Sequence, residues 1–157
     1  LTAGYLRTLG ESDPVRREQI WNLLTTAEME LCEQFNRFVA EFSKVEEVEV
    51  RVSKFPIAFP YADKLFPNAT FDLRKALSIH AHGINSAAKN CLTQTPKNKA
   101  FTLTAELFLM QHTCHWFCRS KTVASARMLT RHKTSYAQLL ESVAPDTRRA
   151  YCTLIGG

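Results

Sequence analysis

The chain reads as mainly all-α, a helical bundle of about four helices with a small β ribbon near residues 47–60. Three observations carry that expectation. From Ile20 to Phe42, apolar residues recur at spacings of three and four, which is one buried stripe on an α-helix. From Phe101 to Ala144 there is no Gly or Pro to interrupt helix. Between them, around Val48, the period changes from 3.6 to 2. The 157 residues amount to a single domain, residues 1–157, and a chain of this length buries enough surface to fold without staples.

Taken in order, residues 1–12 are expected to be a loose start. Asp13 and Pro14 then open a helix over 14–43, because Asp accepts backbone N–H bonds as an N-cap and Pro suits the first turn. Its stripe is Ile20, Leu24, Ala27, Leu31, Phe35, Phe38 and Phe42, and its other side carries Glu28, Glu30, Glu33 and Glu41. A break is expected, if anywhere, at Thr25-Thr26. Next, Val48, Val50 and Val52 alternate with Glu47, Glu49 and Arg51, and Phe55, Ile57 and Phe59 continue the pattern. Pro56 and Pro60 cannot donate to a ladder, so this is an edge or a small ribbon. Thr70 is expected to cap the following helix, with Asp72 in its first turn and Leu73, Leu77, Ile84, Ala88 and Cys91 on its buried face; Gly83 weakens its middle. After the polar connection "TQTPKNKA", the last long stretch forms one helix or two, with a bend near Ser120–Thr122 and an end at Pro145.

Charge is the most informative feature. Residues 1–50 carry ten acids and five Lys/Arg, a net of −5, whereas residues 51–157 carry five acids and fifteen Lys/Arg, a net of +10. No acid occurs between Leu107 and Leu140, a segment holding Arg119, Lys121, Arg127, Arg131 and Lys133. A chain divided in this way suits a polyanion, usually nucleic acid, on its basic part. It also suits self-association, with the acidic part of one copy against the basic part of the next. The plainer alternative is a solvated face. The candidate phosphate ligands are Lys97, Lys99, Arg119, Lys121, Arg127, Arg131 and Lys133, of which Arg127 and Arg131 share a helix face.

No apolar run reaches the ~18 residues of a membrane span, and the first residues lack the basic-then-apolar pattern of a secretory signal. Five cysteines, an odd and scattered set (Cys32, Cys91, Cys114, Cys118 and Cys152), argue for reduced, mostly buried thiols in a reducing compartment, the cytoplasm or a virion. The stretch "FLMQHTCHWFCRSK", residues 108–121, invites a metal reading. On one helix, however, His112/His115 and Cys114/Cys118 point different ways and cannot reach one ion, so no metal site is expected. The expected inward face is Leu107, Met110, Cys114, Phe117 and Cys118, with the histidines beside it. A cysteine nucleophile would need a histidine and an orienting third group, and no local pattern supplies them; no catalytic residue or cofactor is assigned.

Arg74…His80 and Arg127…His132 have the Arg-then-His spacing of small all-helical ribonucleases of the HEPN family, and the chain resembles that family in those pairs. Lys75 and Met128 stand where a polar residue commonly follows the arginine. The resemblance implies a basic helical RNase. His82 and His112 are thirty residues apart, similar to the pocket histidines of globins, but the valine ribbon has no place in that fold.

The order of parts carries a further resemblance. A helical first third ends in Phe42-Ser43-Lys44-Val45. The ribbon Val48-Glu49-Val50-Arg51-Val52 follows, then a helix from Phe71-Asp72, a loop at Thr95-Pro96 and a long helix ending near Ser135-Tyr136. This layout resembles the coat proteins of rod-shaped, tobamovirus-like RNA plant viruses. It implies a four-helix bundle whose copies stack side by side with RNA phosphates between arginines. The Arg-Asp-rich pattern of that family's last long helix is absent. The end, Leu154-Ile155-Gly156-Gly157, is similar to sites cut by several viral proteases, and a flexible tail is the plainer expectation. The sequence thus leads to a self-associating, RNA-binding structural protein. The rivals are an RNase and an assembly domain without nucleic acid.

Overall fold

A computed structural model gives the fold and describes residues 1–57 and 60–156, the side chains of Ala62 and Asp63 apart. The chain is mostly helical with one small antiparallel ribbon, so the all-α class holds. It has more helices than the expected four. They are α1 (Thr2–Gly10), α2 (Pro14–Phe42), α3 (Ala62–Leu65), α4 (Leu73–Ala88), α5 (Pro96–Cys118), α6 (Lys121–His132), α7 (Tyr136–Ser142) and α8 (Pro145–Gly156). The ribbon pairs β1 (Arg51–Ser53) with β2 (Thr70–Asp72), Val52 opposite Phe71. Among the described residues, no helix is long and apolar enough to cross a membrane.

The capping residues explain the boundaries. Asp13 accepts the Val15 N–H at 3.0 Å and starts α2, which runs unbroken past Thr25-Thr26. Asp72, rather than Thr70, caps α4 by accepting the Arg74 N–H at 2.8 Å. Thr95 caps α5 and Ser120 caps α6, so the expected bend near Ser120 is a complete helix break. Lys133 takes a left-handed conformation (φ 53°) that ends α6, and Ser135 with Gln138 forms a capping box for α7.

Other expectations are corrected. Residues 1–12 are not loose: α1 packs on α2 and α5 and buries Tyr5 and Thr8. Residues 47–50 form a 3-10 turn that leaves Val48 70% exposed, and the ribbon's second strand comes from 70–72 instead of 55–60. The long stretch ends before Pro145 as expected, at Ser142, but a further helix follows: Pro145 opens α8, because Pro fits a first turn that needs no N–H there. The tail through Gly156 is helical. Phe59 and Gly157 lie outside the described residues.

α4 and α5 form the central pair. α2 and α8 pack on α4, α6 and α7 pack on α5, and α1 bridges α2 and α5. The ribbon end is pinned by Trp116, whose indole N–H donates to the Ser53 carbonyl at 2.8 Å while its ring meets Phe71 edge-on at 5.0 Å. Val50, Val52, Leu73 and Leu77 complete that core, each contributing about 1.5–3 kcal/mol by leaving water. At the other end, Glu28 of α2 is buried. Its carboxylate accepts the Tyr5 hydroxyl at 2.6 Å and pairs with the Lys99 ammonium, joining α1, α2 and α5. The expectation of Glu28 on a solvated face is therefore reversed.

Candidate nucleic-acid interface

α6 buries only Ala124 and Met128, so its remaining surface faces outward. One turn apart on that surface stand Arg127 and Arg131, both exposed. Across a shallow crease, α5 presents Gln111 and His115, also one turn apart. His132 completes the lining, its Nε2 lying 3.2 Å from Gln111 Oε1, while an Arg127 guanidinium nitrogen lies 3.4 Å from His115 Nδ1. The crease thus gathers two guanidinium groups, an amide and the imidazoles of His115 and His132 over the buried His112 at its floor. Burial, then Arg127 and Arg131, hold His115 below its ordinary range; burial, then Arg131, do the same to His132. Both imidazoles are therefore mainly neutral at pH 7 and able to accept a proton.

The seven sequence-assigned cations separate into groups. Arg127 and Arg131 share the crease. Lys97, in the first turn of α5, joins Arg131 and His132 on the rim of a second depression between α1 and α5. Arg119, exposed, sits just past the end of α5, and Lys133 just past the end of α6. None of these five is ion-paired to a carboxylate among the described residues. Lys121 is held over the rings of Trp116 and Tyr136, 5.1 and 5.2 Å from their centroids. Lys99 is half-buried and committed to Glu28, so it does not stand open to a phosphate.

The sequence places His132 only in the Arg127…His132 spacing and gives Gln111 and His115 no binding role. The Gln111/His115 spacing was visible on one helix face; that this face meets Arg127/Arg131 across the α5–α6 break was not.

Several groups that suggest chemistry are sealed inside. His80 Nε2 bonds the Thr113 hydroxyl at 2.8 Å, and that oxygen lies 3.2 Å from the Tyr151 hydroxyl. His112 bonds Ser125 at 3.0 Å and stacks on Tyr136, ring centroids 4.4 Å apart. Burial pushes both imidazoles well below their ordinary range, His112 to about 4. Glu106 accepts the Ala144 N–H at 3.0 Å, at the start of α8. Burial raises this carboxyl to about 7 against the opposing pull of that N–H and the Thr147 hydroxyl. Gly83 makes the room: a Cβ there would lie 2.3 Å from Glu106 Oε2.

Arg74 and His80 are not brought together. Arg74 is bound to Asp72 and the Val45 carbonyl, whereas His80 is fully enclosed. The cysteines are all unbridged, but only Cys32 is buried and Cys91, Cys118 and Cys152 are exposed, contrary to the expectation of buried thiols. Among the described residues, no three His, Cys, Asp or Glu side chains converge as metal ligands. Compared with protein-family models, curated proteins and solved structures, the chain matches none.

Proposed function

We propose that the chain is a self-associating, nucleic-acid-binding structural protein that holds phosphates along the α5–α6 face. A coat or nucleocapsid subunit that packages RNA in a virion is the sharpest form of this reading. One observation carries it: Arg119, Arg127, Arg131 and Lys133 lie on or beside α6 with no carboxylate partner, in a segment that contains no acid. Like charges so placed repel one another and are relieved by a polyanion, whose released counterions add to the affinity. Self-association draws on α2, where Glu30 and Glu33 are exposed. The test is binding of RNA and heparin across a salt series, with electron microscopy of concentrated protein. Expected are complexes at low salt that dissociate steeply as salt rises, and rods or rings. Binding strengthens as pH falls below 6.5, as His115 and His132 gain charge. A monomer that ignores both polyanions at low salt overturns the reading.

A second reading, RNA cleavage, is favoured by the two imidazoles that share the crease with Arg127 and Arg131. In mildly acidic solution, where one imidazole carries a proton and the other does not, the neutral ring would take the proton of a ribose 2′-hydroxyl as that oxygen attacks phosphorus, and the protonated ring would give its proton to the leaving 5′-oxygen. RNA shortened by the purified protein, but not by His115→Ala or His132→Ala protein that still binds it, would establish this instead.

A further inference from the structure

We infer that the nucleic acid is single-stranded and that one unstacked base seats in the groove between α1 and α5, beside the phosphate-binding face. The inference rests on the proposed phosphate reading and adds the strand type and the base site. The groove has a volume of about 420 Å³, within the range of small-ligand pockets. Its walls are Leu6, Leu9, Phe101 and Phe108, and its rim carries Lys97, Arg131 and His132, with no acid in the lining. Phe101 is 64% exposed and Leu6 73% exposed, so this is apolar surface left to water. Phe108 is already stacked on His132, centroids 3.8 Å apart and planes 28° from parallel.

Two features select a nucleobase as the occupant. The first is charge: a largely apolar slot lined at its edge by Lys97, Arg131 and His132 and by no acid suits a flat ring attached to a phosphate. The second is continuity. Arg131 and His132 line both the groove and the α5–α6 crease. A strand whose phosphates meet Arg127 and Arg131 therefore passes the mouth of the groove, where a base can turn in against Phe101. Aromatic platforms beside basic tracks hold single strands in this way, with little dependence on sequence. A duplex cannot use the slot without breaking a base pair.

The experiment measures binding of labelled oligouridine and of an RNA duplex of equal length at low salt, for wild type, Phe101→Ala, Phe101→Trp and Arg127→Ala. The outward position of Phe101 keeps its variants folded, which circular dichroism checks. Expected results are tighter single-strand than duplex binding by wild type, and a loss of about tenfold or more for oligouridine in Phe101→Ala with duplex binding unchanged. Phe101→Trp restores the affinity, and its emission is quenched by the oligonucleotide. Arg127→Ala weakens both ligands. If wild type binds RNA and Phe101→Ala binds oligouridine equally well, the base site is wrong and the phosphate face stands. If wild type binds neither ligand, both are wrong. If Phe101→Ala disrupts oligomers and leaves oligouridine affinity intact, the groove is a subunit contact and the inference is overturned.

Discussion

His112 and His115 sit one turn apart on α5. One is sealed against Tyr136 and Ser125; the other stands at the surface within reach of Arg127. The same division separates Lys99, locked onto buried Glu28, from Lys97 two residues earlier on the groove rim. The interior and the α5–α6 face use the same residue types. Inside, each charge or imidazole has a partner fixed by the fold. Outside, guanidinium groups gather without a carboxylate. Residue type therefore does not mark a binding group here; an unmet charge at an accessible position does.

The largest expected effect separates the two lysines. Lys99→Ala leaves the Glu28 carboxylate buried with only Tyr5 as a partner and should cost about 3–5 kcal/mol of stability in denaturant unfolding. Lys97→Ala should leave the unfolding midpoint in place and flatten the salt dependence of RNA binding. Equal stability losses in the two variants would erase the distinction.

Next comes Glu106. Its folded value, about 7, lies above its ordinary 4.5. The folded state therefore holds a proton that the unfolded state has lost between those pH values. This contribution to stability is full below pH 4.5, falls as pH rises and is lost above about 7, amounting to roughly 3 kcal/mol. Glu106→Gln keeps an acceptor for the Ala144 N–H and carries no charge. The variant should match wild type near pH 4.5 and exceed it by roughly 2–3 kcal/mol at pH 8. Taking the difference between the two proteins cancels the opposite, acid-side loss from His80 and His112. A pH-independent difference would show that Glu106 is not held protonated.

Gly83→Ala tests the same interior by volume. The added methyl meets Glu106 Oε2 at 2.3 Å and Thr147 Oγ1 at 2.5 Å. Overpacking should outweigh the helix-propensity gain and leave a net loss of about 1–2 kcal/mol by thermal unfolding. The smallest effect belongs to the outer face. Lys133→Gly relieves a left-handed backbone and should add about 0.5–1 kcal/mol of stability. If Lys133 meets a phosphate, the more stable variant will also bind RNA less tightly.

Local signals were legible in the sequence where a boundary depends on neighbours in the chain. Asp13-Pro14 marks the start of α2, whereas the connection expected over residues 93–100 already contains the start of α5, with Thr95 as its cap and Pro96 in its first turn. The ribbon was half legible: Val50 and Val52 are buried as their alternation implies, but their partner strand at 70–72 looks like the approach to a helix cap. The inward face of α5 was misread. Apolar periodicity pointed to Phe117 and Cys118, which are exposed, whereas Glu106, His112 and Thr113 are fully buried. Pattern reading takes polar residues as outward, and α5 reverses this because α6, the residue before α8 and His80 of α4 each give one of those groups a hydrogen-bond partner. The basic segment was legible as charge, but the meeting of α5 and α6 that adds His115 and His132 to it depends on tertiary packing.

The most direct test of the central claim is the salt dependence of single-stranded RNA binding by wild type and by the Arg127→Ala/Arg131→Ala double variant. If the unpaired cations of the α5–α6 face hold phosphates, log affinity should fall with log salt at a slope of about −2 or steeper in wild type. The double variant should flatten that slope by about 1.4, the share of two single-strand contacts. An unchanged slope in the double variant, or no binding by wild type at low salt, would contradict the account.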